Sequence, residues 1–118
     1  MNQAEILVID DEPQIRKLLQ ISLESNNYKV ELASTGKEGI IMAANHPPAL
    51  ILLDIGLPDQ SGHEVLKQLR EWYNNPIIIL SVQDNELDII QALDNGATDY
   101  LTKPFRTGEL QARIRSSL

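Results

Sequence analysis

The 118-residue sequence predicts an α/β fold in which one parallel sheet is covered by helices on both faces. Two observations predict it. Short apolar runs are continuous rather than alternating, which is typical of strands buried on both faces, and segments with helical periodicity lie between them. A chain of this length can bury a core of its own. We therefore treat residues 1–118 as a single domain.

Strands are predicted at four continuous apolar runs and one alternating run. The continuous runs are Ile6–Ile9, Leu50–Leu53, Ile77–Leu80 and the weaker Tyr100–Leu101. The alternating run is Lys29–Ala33, which is typical of a strand at the edge of a sheet.

Helices are predicted where apolar residues recur at three- and four-residue spacing after each strand. Pro13 suits the first turn of the first helix, and Thr107 is predicted to be the N-cap of the last one. Five such βα units imply right-handed crossovers. They favour a flavodoxin-like doubly wound sheet of five parallel strands in the order 2-1-3-4-5, with five helices.

The composition excludes several classes of function. The formal net charge of -7 provides no basic surface for nucleic acid, so direct DNA binding by this segment is disfavoured. There is no cysteine, which excludes disulfides and thiolate metal sites. The apolar runs are too short for a membrane span or a signal peptide, so we expect a cytoplasmic protein that makes no contact with the membrane.

Chemically active side chains follow four of the predicted strands directly. Asp10 and Asp11 follow the first strand, Asp54 the third, Ser81 the fourth and Lys103 the fifth. Ligands of doubly wound sheets bind at this carboxyl edge, where the first and third strands are neighbours. Carboxylates so close would repel one another unless a cation lay between them, and Mg²⁺ fits such a site. Asp54 could then attack phosphorus, while Lys103 and Ser81 contact the phosphoryl oxygens.

Each of these residues also has an ordinary structural explanation. An Asp after a strand is more often a turn former or a helix cap, and a single lysine is usually a solvated surface residue. The run Asp10-Asp11-Glu12 could simply place negative charge at the positive end of the first helix. The joint pattern at four strand ends is what favours a phosphoryl site.

With these residues in place, the sequence resembles the response-regulator receiver family along its whole length. The matching segments are residues 6–13 (ILVIDDEP), 52–62 (LLDIGLPDQSG), 79–81 (ILS) and 96–105 (GATDYLTKPF). Within the family it is similar to the OmpR/PhoB-type class, whose receivers precede a winged-helix DNA-binding domain. It is most similar to the potassium-transport operon regulators, because of the loop at residues 55–59 and the ending at residues 108–113.

The resemblance implies a Mg²⁺-dependent switch and not an enzyme with an external substrate. Asp54 would be the phosphoacceptor for a sensor histidine kinase, and the chain would catalyse only its own phosphorylation and dephosphorylation. Asp11 and Asp54 would bind Mg²⁺ directly, Asp10 would act largely through water, and Gly56 would contribute its backbone carbonyl.

The resemblance also assigns the parts that would move. Ser81 would bond the phosphoryl group and shift with it, and Tyr100 would be the aromatic switch that fills the space behind Ser81. The alternative for Tyr100 is a half-buried strand tyrosine whose hydroxyl lies in water. The Lys103-Pro104 bond would be the cis peptide typical of the family, which an X-Pro bond permits.

Phosphorylation would favour a symmetric homodimer through the fourth helix, the fifth strand and the fifth helix. The charged positions of this surface are Asp94, Asp99, Glu109 and Arg113. Ile89 stands where a basic residue is common and Thr98 where an Asp is common, which puts one intersubunit ion pair in doubt. A C-terminal effector domain, absent from these 118 residues, would bind DNA and control transcription. The resemblance to the potassium-transport operon regulators implies that the controlled genes are those of potassium transport.

Three other functions are less compatible with the sequence. A flavodoxin-type electron carrier would need phosphate-binding donors after the first strand, where Asp10-Asp11-Glu12 would repel an anion. A haloacid-dehalogenase-type phosphatase would carry its nucleophile after the first strand and a second Asp two residues on, but position 56 is glycine. A phosphorylation-independent pseudo-receiver would not need the intact set of acids, hydroxyl and lysine.

Overall fold

The computed structural model describes residues 3–118 and confirms the predicted alternation of strands and helices. Residues 1 and 2 of the predicted domain lie outside the described part. The strands are β1 (Glu5–Ile9), β2 (Lys29–Ala33), β3 (Leu50–Asp54), β4 (Ile77–Ser81) and β5 (Asp99–Thr102). The helices are α1 (Pro13–Ser25), α2 (Gly36–Asn45), α3 (Gly62–Arg70), α4 (Glu86–Asp94) and α5 (Thr107–Ser117).

All strand pairs are parallel, and their order β2-β1-β3-β4-β5 is the predicted one. The alternating strand β2 lies at an edge, as expected from its pattern. Strands β3 and β4 each run one residue beyond their apolar sequence, so that Asp54 and Ser81 are still paired in the sheet. The polar side chains at these positions are therefore held by strand backbone and not by loops.

Two apolar cores lie on the two faces of the sheet. One is formed with α2, α3 and α4, and the other with α1 and α5. Successive residues of one strand alternate between them: in β1, Leu7 and Ile9 face the first core, whereas Ile6 and Val8 face the second. Because both faces are covered, polar chemistry is confined to the ends of the strands. No helix within residues 3–118 is long and apolar enough to cross a membrane.

The helix starts agree with the sequence prediction except at α5. Pro13 occupies the first position of α1, as predicted. Thr107 was predicted to cap α5, and this was wrong, because Thr107 is already the first helical residue. The cap position belongs to Arg106, whose backbone is extended (φ −90°, ψ 134°) and whose side chain makes no capping bond. The hydroxyl of Thr107 therefore lies one residue too far along the chain to cap.

Gly62 and Gly108 should respond in opposite ways to replacement by Ala. A Cβ at Gly62 would collide with the carbonyl oxygen of Asp54 and lie 2.5 Å from the Cα of Ile55, so something in the backbone must shift. We expect Gly62→Ala to lower the free energy of unfolding by about 1–3 kcal/mol. Gly108 is also at the start of a helix, but nothing lies within 4 Å of a Cβ there.

Gly108→Ala is the matched control and should raise the free energy of unfolding by about 0.4–1 kcal/mol, since Ala loses less backbone entropy on folding. Urea unfolding followed by circular dichroism measures both values. Equal effects of the two substitutions would contradict the close packing described for Gly62.

Candidate functional site

The carboxyl ends of β1, β3, β4 and β5 surround one cavity of about 240 Å³. Its lining contains the predicted Asp11, Asp54, Ser81 and Lys103, but not Asp10, together with residues of the loop after β3 and of the segment after β4. The lining residues are Asp11, Glu12, Asp54, Gly56, Ser81, Val82, Gln83 and Lys103. The sheet thus brings together residues that are up to 92 positions apart in the chain, from Asp11 to Lys103.

One ammonium group faces three carboxylates at this edge. Oxygen atoms of Asp10, Glu12 and Asp54 all lie within 4.8 Å of one another. The Nζ of Lys103 is 2.8 Å from Oδ2 of Asp10, 3.3 Å from Oε1 of Glu12 and 3.6 Å from Oδ1 of Asp54. Asp10 is only 1% exposed and Asp54 only 6%. The three carboxylates outnumber the one ammonium group and two of them are buried, so the cluster could hold a cation.

Burial and the neighbouring charges shift the pKa values of Asp54 and Lys103. Burial, with the charge of Asp10 added, raises the pKa of Asp54 to about 6, against the opposing effects of Lys103 and of the Gly56 N–H. That N–H donates to Oδ1 of Asp54 at 3.2 Å. Burial alone would lower the pKa of Lys103, but its hydrogen bond to Asp10 and the charges of Asp10 and Asp54 raise it above its ordinary value. Lys103 therefore stays protonated, and Asp54 holds a proton more firmly than an ordinary carboxyl does.

Asp10 is bound on both of its carboxylate oxygens. Oδ1 accepts the N–H of Glu12 at 2.9 Å, and Oδ2 accepts Nζ of Lys103 at 2.8 Å. Arg16 of α1 donates to the backbone carbonyl of Asp10 at 2.8 Å. The end of β1 is thus held by Arg16 of α1 and by Lys103, which follows β5.

The predicted site residues are brought together, although their chemical roles stay predictions. Asp11 lines the cavity, and its side-chain contact with Asp54 contributes to the raised pKa of Asp54. Glu12 was not predicted as part of the metal cluster, yet it joins Asp10 and Asp54 there and contacts Lys103. The acidic run after β1 was the available signal, but it does not tell which of three consecutive acids turns toward the cavity.

The two predicted switch residues meet at the segment after β4. Ser81 is buried, and its hydroxyl accepts the N–H of Gln83 at 3.0 Å. The half-buried Tyr100 donates its hydroxyl to the carbonyl of Gln83 at 2.7 Å. The alternative prediction placed this hydroxyl in water, but in the structure it is hydrogen-bonded to the backbone. The Lys103-Pro104 peptide bond is cis, as the resemblance implied.

Three of the four charged residues predicted for a dimer surface form ion pairs with one another within the chain. Arg113 contacts Oδ2 of Asp99 at 2.9 Å and Oε2 of Glu109 at 3.0 Å. Asp94 is the last residue of α4. The hydroxyl of Thr98 accepts the N–H of Ile77 at 3.0 Å, so this position serves the end of β4.

Replacing Asp54 by Asn should stabilise the fold at neutral pH. The folded-state pKa of about 6 lies above the ordinary value of 3.8, so the folded chain binds this proton more tightly than the unfolded chain does. The destabilising effect of the carboxylate is therefore absent below pH 3.8 and fully present above about pH 6.

We expect Asp54→Asn to raise the free energy of unfolding at pH 7.5 by about 1–2 kcal/mol, because one pKa unit corresponds to roughly 1.4 kcal/mol and solvent at the cavity mouth screens part of it. The gain should shrink as the pH is lowered through 6 to 4. Denaturant unfolding across this pH range, without divalent cations, measures it. A gain that is constant with pH would contradict the raised pKa.

Comparison with known proteins agrees with this geometry. The family model described as "Response regulator receiver domain" matches residues 6–115. The chain is 50% identical over 113 residues to the transcriptional regulatory protein KdpE of Mycobacterium tuberculosis, covering 96% of this chain and 50% of the relative. It is 48% identical over 113 residues to the KDP operon transcriptional regulatory protein KdpE of Escherichia coli, again covering 96% of this chain and 50% of the relative. The chain thus spans about half the length of these relatives.

Solved structures give the same result. A CheY-like receiver domain protein from Methanospirillum hungatei superposes with a TM-score of 0.93 at 29% identity, covering 98% of this chain and 93% of that one. The BeF3-activated N-terminal receiver domain of Klebsiella pneumoniae RstA gives 0.92 at 30% identity, covering 96% of this chain and 97% of that one. Fold, family match and relatives agree: the chain belongs to the receiver domain family of two-component response regulators, which is not a family of classical enzymes.

Proposed function

We propose that this receiver accepts a phosphoryl group on Asp54 from a sensor histidine kinase, in a reaction that depends on Mg²⁺. One observation carries the proposal: the buried carboxylate of Asp54 shares a single cavity with the amine of Lys103 and the hydroxyl of Ser81. A nucleophile, a fixed positive charge and a hydrogen-bond donor are the parts that phosphoryl transfer to a carboxylate requires.

The donor set fits Mg²⁺, which prefers carboxylate and carbonyl oxygens and needs few ligands from the protein. Asp11, Asp54 and the carbonyl of Gly56 would hold the ion. Both carboxylate oxygens of Asp10 already have partners, so Asp10 is suited to acting through water. Glu12, as a member of the same acidic cluster, is a further candidate. Bound Mg²⁺ would neutralise the carboxylates and polarise the phosphoryl group.

The chain's own residues perform the transfer. A carboxylate oxygen of Asp54 attacks phosphorus, and the bond from phosphorus to the donor imidazole nitrogen breaks, with its electron pair returning to that nitrogen. Lys103, whose Nζ is 3.6 Å from Asp54 Oδ1, stabilises the charge on the phosphoryl oxygens. Hydrolysis of the acyl phosphate by water restores Asp54, so the only reactions the chain catalyses are on itself.

The signal leaves the site through Ser81. When its hydroxyl turns to donate to a phosphoryl oxygen, the bond that it accepts from the Gln83 N–H is lost. The carbonyl of Gln83 also accepts the hydroxyl of Tyr100. A movement of Gln83 therefore moves both the segment after β4 and the tyrosine ring. Phosphorylation acts by shifting the population between these two arrangements.

The output proceeds through α4, β5 and α5. A phosphorylated homodimer would use Asp94, Asp99, Glu109 and Arg113, and an effector domain following residue 118 would bind DNA. Transcription of potassium-transport genes is the proposed output, because the most similar relatives include regulators of the KDP operon. A cytoplasmic location follows, since the proposed chain must reach both DNA and the kinase.

The decisive experiment is the intact mass of the protein after incubation with acetyl phosphate. We expect one phosphoryl adduct that requires Mg²⁺, disappears with EDTA and is absent in Asp54→Ala, because Asp54 is the buried acid of the cluster that lines the cavity, whereas both oxygens of the buried Asp10 are already hydrogen-bonded. No adduct on the wild-type chain, beside a receiver that labels under the same conditions, would instead favour a phosphorylation-independent pseudo-receiver.

Replacing Lys103 by Ala should separate phosphorylation from dimerisation. Without its ammonium group the phosphoryl oxygens lose their link to the end of β5, so the adduct should form without a shift to dimer. Light scattering after size-exclusion chromatography, with and without acetyl phosphate, measures this. Lys67→Ala is the control, because Lys67 is an exposed lysine on α3. Normal dimerisation of phosphorylated Lys103→Ala would refute the role assigned to Lys103.

A further inference from the structure

We propose that Asp59 is a positioning residue for the Mg²⁺ site, a step that rests on the function proposed above. Asp59 lies in the loop of residues 55–61, which joins Asp54 at the end of β3 to α3. By fastening this loop to α2, Asp59 sets the position of Gly56 beside the Asp54 carboxylate.

Both carboxylate oxygens of Asp59 are hydrogen-bonded to the first turn of α2. Oδ1 accepts the N–H of Gly36 at 2.9 Å, and Oδ2 accepts the N–H of Lys37 at 3.0 Å. The bonds from Lys37 and Gly36 hold the pKa of Asp59 below its ordinary value of 3.8, so the carboxylate is ionised at neutral pH. One side chain thus makes a two-point link between a loop and a helix that are 22 residues apart in sequence.

Helix α2 also has an N-cap side chain of its own, that of Thr35. The hydroxyl of Thr35 accepts the N–H of Glu38 at 3.1 Å, and Oε1 of Glu38 accepts the N–H of Ser34 at 3.0 Å. These bonds serve the third helical N–H and the residue before the N-cap, and they leave the first two helical N–H groups without a partner. Asp59 accepts those two N–H groups, and by the same two bonds it fastens the loop to α2.

The packing around Gly36 is consistent with such a link. A Cβ at Gly36 would lie 2.7 Å from Cγ2 of Val65 and 3.1 Å from Cγ of Gln60. Only glycine therefore lets the loop and α3 come this close to the first turn of α2. The close approach and the two hydrogen bonds are independent signs that the loop is fixed at this point.

The fixed loop reaches the site at Gly56. The base of the loop is closed by a bond from the Gly62 N–H to the carbonyl of Ile55 at 2.8 Å, and Ile55 and Leu57 are buried on either side of Gly56. Gly56 in turn donates to Oδ1 of Asp54 at 3.2 Å. A loop released at Asp59 would leave Gly56 free to move away from Asp54, and its carbonyl would be a poorer ligand because it is no longer held in place.

The test compares Mg²⁺ affinity, measured by titration calorimetry with Mg²⁺ alone, in the wild type and in two variants of the same helix start. Asp59→Ala should weaken Mg²⁺ binding about threefold to tenfold, since residues that orient metal ligands commonly have effects of this size or larger. Glu38→Ala removes the side-chain bond to the Ser34 N–H at the same helix start but leaves the loop fastened. It should lower the urea unfolding midpoint, as Asp59→Ala does, and leave Mg²⁺ affinity unchanged.

The result that overturns the proposal is wild-type Mg²⁺ affinity in Asp59→Ala, or an equal loss in Glu38→Ala, which would reduce Asp59 to a helix cap. Asp59→Asn keeps one acceptor oxygen and should lie between Asp59→Ala and the wild type, which provides a milder variant if the alanine protein does not fold. Failure of the wild type to bind Mg²⁺, or binding that survives Asp54→Ala, would instead overturn the proposed function and this inference with it.

Discussion

The sharing of one ammonium group by several carboxylates is the constraint on which the rest of the site depends. Asp10 and Asp54 are almost completely buried, and Lys103 bridges them across the sheet from the end of β5. Buried charge is costly unless it is neutralised, and a single lysine cannot neutralise this cluster. The raised pKa of Asp54 is the direct consequence. The residual negative charge is what makes the cavity suited to a cation and, through the cation, to a phosphoryl group.

The same edge of the sheet adjoins the least firmly packed helix. In α4 only Ala92 is buried, while Leu87 is 80% exposed. Elements with few buried apolar contacts open and shift at low cost in free energy. The segment that connects Ser81 to α4 is held through Gln83 by Ser81 and Tyr100. A small change at the proposed phosphoryl site can therefore displace α4 at low cost, whereas strands β1 and β3, buried on both faces, stay in place.

The fold could be predicted because continuous apolar runs are typical of buried parallel strands. The proximity of the site residues could be predicted because residues that follow such strands meet at the carboxyl edge of the sheet. The features that the sequence did not predict correctly depend on the backbone geometry of single residues or on contacts between distant segments. Whether Arg106 or Thr107 caps α5 is decided by the backbone of a single residue. The contact of Glu12 with Lys103 depends on how the chain enters α1. The bonds of Asp59 to α2 join distant segments and follow no local pattern, so the sequence shows only an acid in a turn.

The ion pairs of Arg113 bear on how the proposed dimer would be stabilised. Arg113 already contacts Asp99 and Glu109 within one chain, so an ion pair across the interface would replace an existing contact and not add to it. Exposed ion pairs contribute little to stability in any case. The exposed apolar side chains of α4, among them Leu87 and Ile90, offer the larger gain, since burying them removes apolar surface from water. We therefore expect charge to select the partner and orientation of this surface, and apolar burial to supply most of its affinity.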